Sequence, residues 1–135
     1  MSMKLWGGRF ETGPSEVFER FSGSLHFDRR LIEADILGSQ AYARALARVG
    51  ILTSEEAETI VSALASIDRD GAATATDEDI HTYVIRGLKE KAGPLADKIH
   101  TGRSRNEQVS LDSRLWLRGA TDDTLALLRH LMRAL

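Results

Sequence analysis

Residues 100–135 read HTGRSRNEQVSLDSRLWLRGATDDTLALLRHLMRAL, a polar loop that runs directly into a long helical pattern. Ser104 and Glu107 have the S-x-x-E spacing of a capping box, in which each side chain satisfies a backbone N–H of the other residue. This spacing predicts a helix that begins near Arg105. Glu107 and Asp112 are expected to place negative charge near the positive end of that helix dipole.

The helical pattern continues to the last residue without a stop signal. No Gly or Asn follows it as a C-cap, and native termini more often end polar and frayed, so we interpret the sequence as ending inside a long helix. A stripe of this length usually packs against other long helices, from the same chain or from partners. The apolar positions of the stripe are Trp116, Leu117, Leu125, Leu128, Leu131, Met132 and Leu135.

The loop itself, His100–Asn106, has the chemistry of an anion site. It holds two guanidinium groups, two hydroxyls, a carboxamide and an imidazole around one glycine. These short, directional donors suit a ligand that carries carboxylates or phosphates, and the helix start that follows adds unpaired N–H groups. Surface pairing of Arg103 and Arg105 with nearby carboxylates is the simpler alternative.

The composition is that of an ordinary globular domain. The chain has 135 residues, 42% of them hydrophobic and 28% charged, with a formal net charge of −2. This charge gives no general attraction to nucleic acid, and no apolar run approaches the ~20 residues that cross a bilayer. Without cysteine, a disulfide framework and a thiolate metal site are excluded. The first ten residues are too polar for a signal peptide, so we expect a cytoplasmic protein.

Helical spacing dominates the rest of the chain. A first long helix is predicted over about residues 29–48, with Gly50 placed as its C′ glycine. Thr53 and Glu56 form a second capping box, for a helix that continues through Ile67.

Two glycine-containing breaks delimit a third helix. Asp70-Gly71 is expected to end the second helix, and residues 72–76 to form a loop. The third helix is predicted to begin with an acidic first turn, residues 77–79, and to stop at Gly93-Pro94.

The fold class is therefore predicted to be all-α. Few segments alternate apolar and polar residues over the length of a strand. We expect residues 1–104 to form an N-terminal helical domain with an ordered arm over residues 1–10, because an exposed Trp6 and Phe10 would be unfavourable. Residues 105–135 are expected to be the start of a long, apparently truncated helix.

Four blocks of sequence resemble the argininosuccinate lyases, a family of the fumarase/aspartase superfamily. Lys4–Phe10 is similar to the opening arm of that family, and residues 21–31 to its first substrate loop and helix. Glu78–His81 is similar to its acidic-histidine motif, and His100–Gln108 to its Arg-Asn loop. Glu107 stands where the family usually has Asp, which preserves the carboxylate.

The resemblance implies a fold and a reaction. The fold is an N-terminal helical domain that runs into the first long helix of a central helical bundle. The reaction is the reversible β-elimination of argininosuccinate to arginine and fumarate, in arginine biosynthesis, without metal or organic cofactor. Removal of a proton beside a carboxylate creates a carbanion that needs strong, preorganised donors, as well as a base and an acid.

The resemblance also implies site residues. Ser24, Arg105 and Asn106 would bind the substrate, Thr101 and Ser104 would support them, and Asp79 and His81 would hold the hydrogen-bond network of the pocket. From the residues alone, Ser24 could equally be a turn or N-cap residue, Asp79 a complement to a helix dipole, and His81 a half-buried histidine with satisfied partners.

No catalytic acid or base is expected in this chain. In the resembling enzymes a histidine acid and a serine base lie beyond the length of this sequence, as do most of the helices that assemble a homotetramer. We therefore expect the 135-residue chain alone to be inactive. Asp77, Asp79 and His81 suggest a metal site by composition, but at two-residue spacing on a helix they would point apart, so none is predicted.

Two other functions remain open. A non-catalytic helical interaction module could keep the fold without the chemistry, and it would be stable and soluble by itself. Another lyase of the superfamily could act on adenylosuccinate, aspartate or fumarate. Trp6–Phe10 and Arg103–Asn106 favour argininosuccinate over these substrates.

Overall fold

The computed structural model describes residue 13 and residues 15–135. The predicted arm over residues 1–10 lies outside these residues. All regular structure in the described part is helical, which confirms the all-α class. The α-helices are α1 Glu16–Ser22, α2 Leu25–Asp28, α3 Ile32–Arg48, α4 Ser54–Ala65, α5 Ile80–Ala92 and α6 Arg105–Ala134; the 3₁₀ helices are Arg29–Leu31, Asp70–Ala73 and Gly93–His100.

Local signals set most helix ends. Both predicted capping boxes form, at Thr53 with Glu56 and at Ser104 with Glu107. Gly50 has a φ of 77° just after α3, a left-handed conformation that favours glycine. Gly93 ends α5 with a φ of 56°, as its Gly-Pro pair predicted.

Two predicted boundaries were wrong. The third helix was expected to begin with residues 77–79, but Asp79 is its N-cap and α5 begins at Ile80. Asp77 and Asp79 are both possible N-caps, and Asp77 instead pairs with Arg86, which donates to its two oxygens at 3.0 and 2.8 Å. Helix α4 ends at Ala65, well before Asp70-Gly71, and part of the expected loop is 3₁₀ helix.

One core holds the N-terminal helices together. Helices α3, α4 and α5 pack around it, and the 3₁₀ helix Gly93–His100 closes one side. Its largest fully buried apolar side chains are Ile60, Leu64, Ile80, Leu88 and Ile99. At about 25 cal/mol per Å² of buried apolar surface, such side chains supply most of the driving force for folding.

Helix α6 docks on this core mainly through its first turns. Gly38 of α3 allows the approach, since a Cβ there would lie 3.1 Å from Leu111 Cδ2 and 3.3 Å from Asp112 Oδ1. Gln108 and Asp112 are the buried residues of the helix. Every residue from 121 to 135 is exposed.

Candidate functional site

The start of α5 meets the start of α6 through an ion pair. Asp79 caps α5 by accepting from the backbone N–H of Thr82 at 2.7 Å. Arg105, the first residue of α6, donates from Nη1 to both Asp79 oxygens at 2.8 and 2.7 Å. Burial raises the pKa of Asp79, but the Thr82 hydrogen bonds and the Arg105 charge outweigh it, and the pKa is lowered overall. Asp79 is therefore an anion that fixes one edge of the Arg105 guanidinium.

The starts of α5 and α6 form a corner around the Asp79–Arg105 ion pair. Ser24 is held at this corner by the segment before α5. Its backbone N–H donates to the Glu78 carbonyl at 2.7 Å, and its hydroxyl donates to Asp28 Oδ2 at 2.5 Å. The other Asp28 oxygen accepts from the Ile80 N–H at 3.1 Å. Burial is the main reason that the pKa of Asp28 is raised. The structure thus brings the loop of Ser24 to the helix start that carries Asp79.

The loop before α6 is shaped by α3. Tyr42 donates its hydroxyl to the Thr101 carbonyl at 2.8 Å, and Gly102 takes a φ of 69°. Arg103 folds back, with Nη1 3.0 Å from Ser39 Oγ and its guanidinium 5.2 Å from the centre of the Tyr42 ring. Arg103 therefore anchors the loop. The sequence alone did not show whether this arginine would face a ligand or the protein.

The remaining side chains of the loop face outward. Thr101, Ser104 and Asn106 are exposed, and Ser104 Oγ accepts from the Asn106 N–H at 3.3 Å. His100 is exposed as well; partial desolvation and the charges of Arg103 and Arg105 lower its pKa, which favours the neutral imidazole. The exposed start of α6 therefore offers hydroxyl and carboxamide donors next to Arg105, while its first N–H groups are taken by the capping box.

His81 lies behind this corner. Its side chain is only 4% exposed, and its Nδ1 lies 2.6 Å from Asp35 Oδ2. Burial lowers the pKa of His81, but the hydrogen bond and charge of Asp35 outweigh burial and raise it overall. The hydrogen bond that fixes the imidazole lies in the protein interior, so His81 stabilises the corner and does not face a ligand.

Sequence reasoning missed the polar residues around His81. Asp35 accepts from Ser39 Oγ at 2.9 Å and from Gln108 Nε2 at 2.9 and 3.0 Å. Asp112, which was expected only to place negative charge near the start of α6, is fully buried beside His81. Polar pairs four residues apart on the inward face of α3 and α6 were the available signal.

The side chains that suggested a metal site point to separate partners. Asp77 pairs with Arg86, Asp79 with Arg105, and His81 with Asp35. A different group, Asp35, His81 and Asp112, has one ligand atom from each residue within 4.8 Å of the others. Together with Ser39 and Gln108, these three residues form what we call the buried cluster.

The lyase family model matches residues 8–135. The chain belongs to this lyase family. Its all-α architecture agrees with the fumarase/aspartase fold of that family. Within the described residues of this lyase chain, no helix is both long and apolar enough to span a membrane.

Curated relatives carry a more specific name. The argininosuccinate lyase of Solibacter usitatus (strain Ellin6076) is 65% identical over a region that covers 96% of this chain and 29% of that protein. That of Chlamydomonas reinhardtii is 50% identical over 96% of this chain, and that of Heliobacterium mobile 48% identical over 100%. The chain spans less than a third of the length of these relatives, between 28% and 31%.

Proposed function

We propose that this chain is the N-terminal part of an argininosuccinate lyase and supplies part of its substrate site. The 65% identity to a protein of that name supports the assignment over other lyases. The single observation that carries it is the corner where Asp79 fixes Arg105 at the exposed start of α6, beside the loop of Ser24.

The geometry suits a carboxylate ligand. Asp79 occupies Nη1 of Arg105, and no described residue accepts a hydrogen bond from Nε or Nη2, so that edge of the fork can receive a carboxylate. Asn106 adds a side-chain amide, and the helix dipole adds positive potential. Thr101 and Ser104 supply further hydroxyls, and Ser24 would add its own when a ligand draws it away from Asp28, while Asp79 and His81 hold the network.

These donors serve the elimination in a defined way. When a base removes the proton beside a succinyl carboxylate, negative charge moves onto that carboxylate, and fixed Arg and Asn donors stabilise it most in the transition state. The leaving nitrogen must gain a proton from an acid. We place both the acid and the base outside this chain, which is therefore expected to be inactive alone. No cofactor or metal enters this scheme.

The proposal extends to the organisation of the protein. We propose that residues 1–104 form the N-terminal domain and 105–135 begin a helix of a central bundle, in a cytoplasmic homotetramer with no nucleic-acid or membrane partner. The exposed apolar side chains of α6, among them Leu127 at 71% and Met132 at 76% exposure, support a bundle that covers them. The same side chains also support the second candidate, a non-catalytic helical interaction module.

A chimera tests the proposal. The 135 residues would replace the matching part of the Solibacter usitatus enzyme, and fumarate release would be followed by ultraviolet absorbance. We expect an active chimera in which Asn106→Ala lowers kcat/KM about 10²–10³-fold, the usual cost of one transition-state donor. Asp122→Asn, at an exposed position of α6, is the matched control and should leave activity unchanged. An active chimera whose kcat/KM is unchanged by Asn106→Ala would overturn the proposed site. A chimera that folds as a tetramer but is inactive would favour the interaction module.

A further inference from the structure

Asp112 is a buried acid without a hydrogen-bond donor. Its side chain is 0% exposed, and neither carboxyl oxygen has a hydrogen-bond partner among residues 13 and 15–135. The nearest cationic group is His81, whose Nδ1 lies 3.4 Å from Asp112 Oδ2. A carboxylate in this position would be a nearly uncompensated buried charge, which is costly unless the group takes up a proton.

Asp35 takes the donors that an ionised Asp112 would need. The carboxamide of Gln108 points at both Asp35 oxygens, and Ser39 donates to Asp35 Oδ1. The His81 Nδ1 lies 2.6 Å from Asp35 and 3.4 Å from Asp112, so its hydrogen is directed to Asp35. One carboxylate is thus fully satisfied, and the second lies beside it without partners.

We propose that Asp112 is a positioning residue that docks the first turns of α6 on α3 and α5 as a neutral carboxylic acid, so that folding captures one proton. The position of α6 matters because the same first turns carry Arg105 and Asn106. The inference rests on the buried geometry and not on the proposed function, and either can fail without the other.

The charged groups that face Asp112 come from three segments. They are Asp35 on α3, His81 on α5 and Arg103 on the loop before α6. Burial and Asp35 raise the pKa of Asp112 to about 7, although His81 and Arg103 act in the opposite direction. Because the folded pKa is raised, the stabilisation is complete below the unfolded value near 3.9 and is lost as the pH rises towards 7.

A metal ion is the competing occupant, since Asp35, His81 and Asp112 could each offer a ligand atom. The cluster, however, already contains the Gln108 amide on both Asp35 oxygens and the Arg103 guanidinium on Ser39. A divalent cation would have to displace the Gln108 amide and lie near the positively charged Arg103 guanidinium. A proton removes the same charge without moving either group, so the geometry favours the proton.

The test is urea unfolding of the 135-residue protein, followed by circular dichroism, for the unchanged chain and for Asp112→Asn. The amide is a neutral isostere that cannot titrate. Between about pH 5 and pH 8 we expect the unfolding constant of the unchanged chain to rise relative to that of Asp112→Asn, by about ten- to a hundredfold. Asp123→Asn, at an exposed position of the same helix, is the control and should follow the unchanged chain.

Two results would overturn the proposal. Parallel pH curves for the unchanged chain and Asp112→Asn would mean that no proton is captured, and stabilisation by added Zn²⁺ that Asp112→Asn abolishes would make the cluster a metal site. If Asp112→Asn does not fold, carboxyl ¹³C NMR of the unchanged chain gives the answer. An Asp112 signal that titrates near neutrality supports the neutral acid, and one already ionised at about pH 5 contradicts it.

Discussion

The two ends of α6 belong to one continuous helix but have different surroundings. Over residues 105–112, which we call the docked end, the helix buries Gln108 and Asp112 against α3 and α5. Over residues 121–134, which we call the free end, every side chain is exposed. The cation–π contact between Arg30 and Trp116, at 5.8 Å, lies between the two ends.

The difference shows that apolar character did not determine which end is docked. The free end carries most of the leucines, whereas polar side chains make the deepest contacts of the docked end. Thr121 and Thr124 illustrate the isolation of the free end, since both hydroxyls donate to carbonyls of their own helix, at 2.8 and 2.7 Å. An apolar face of this kind is completed by other helices, as we propose for the bundle.

The largest expected effect comes from removing Asp35, the acceptor on α3 to which the docked end binds. Asp35→Ala leaves His81 and the Gln108 amide buried without their partner, and should lower the free energy of unfolding by about 3–5 kcal/mol. Chemical denaturation would measure it. Glu33→Ala is the matched control, because Glu33 pairs with Arg69 on the surface, and should cost less than about 1 kcal/mol. Equal losses for the two variants would mean that the buried cluster is not what docks α6.

A smaller, opposite pair of effects is expected from two glycines. Gly38→Ala places a methyl 3.1 Å from Leu111 Cδ2 and 3.3 Å from Asp112 Oδ1, and this crowding should outweigh the gain in helix propensity and destabilise the protein by up to about 2 kcal/mol net. Gly119→Ala meets nothing within 4 Å and should stabilise the protein by about 0.5–1 kcal/mol through helix propensity. Thermal unfolding of both variants would measure the difference. Two changes of the same sign would indicate that α6 does not approach α3 at Gly38.

The sequence predicted those features that depend on a few neighbouring residues. Local backbone chemistry explains the capping boxes at Thr53 and Ser104. It also explains the glycine after α3 and the Gly-Pro stop after α5. The start of α5 was misplaced because Asp77 and Asp79 can each cap a helix, and the choice between them depends on Arg86 and Arg105, which lie further along the chain.

The candidate site was predictable only in its exposed part. Arg105 and Asn106 are evident from the density of donors in one loop. The roles of Asp35 and Asp112 depend on contacts between residues far apart in sequence, such as the 2.9 Å hydrogen bond from Gln108 to Asp35. An aspartate that caps a dipole and one that is buried have the same local sequence pattern, so only packing distinguishes them.

Hydrogen exchange along α6 tests the contrast between its ends most directly. The measurement uses mass spectrometry, at a concentration where the 135-residue chain sediments as a monomer. We predict slow exchange of amides in the docked end, which opens only with the core, and much faster exchange in the free end. The same low protection over both ends, or strong protection of the free end in the monomer, would contradict the account of a docked end and a free end.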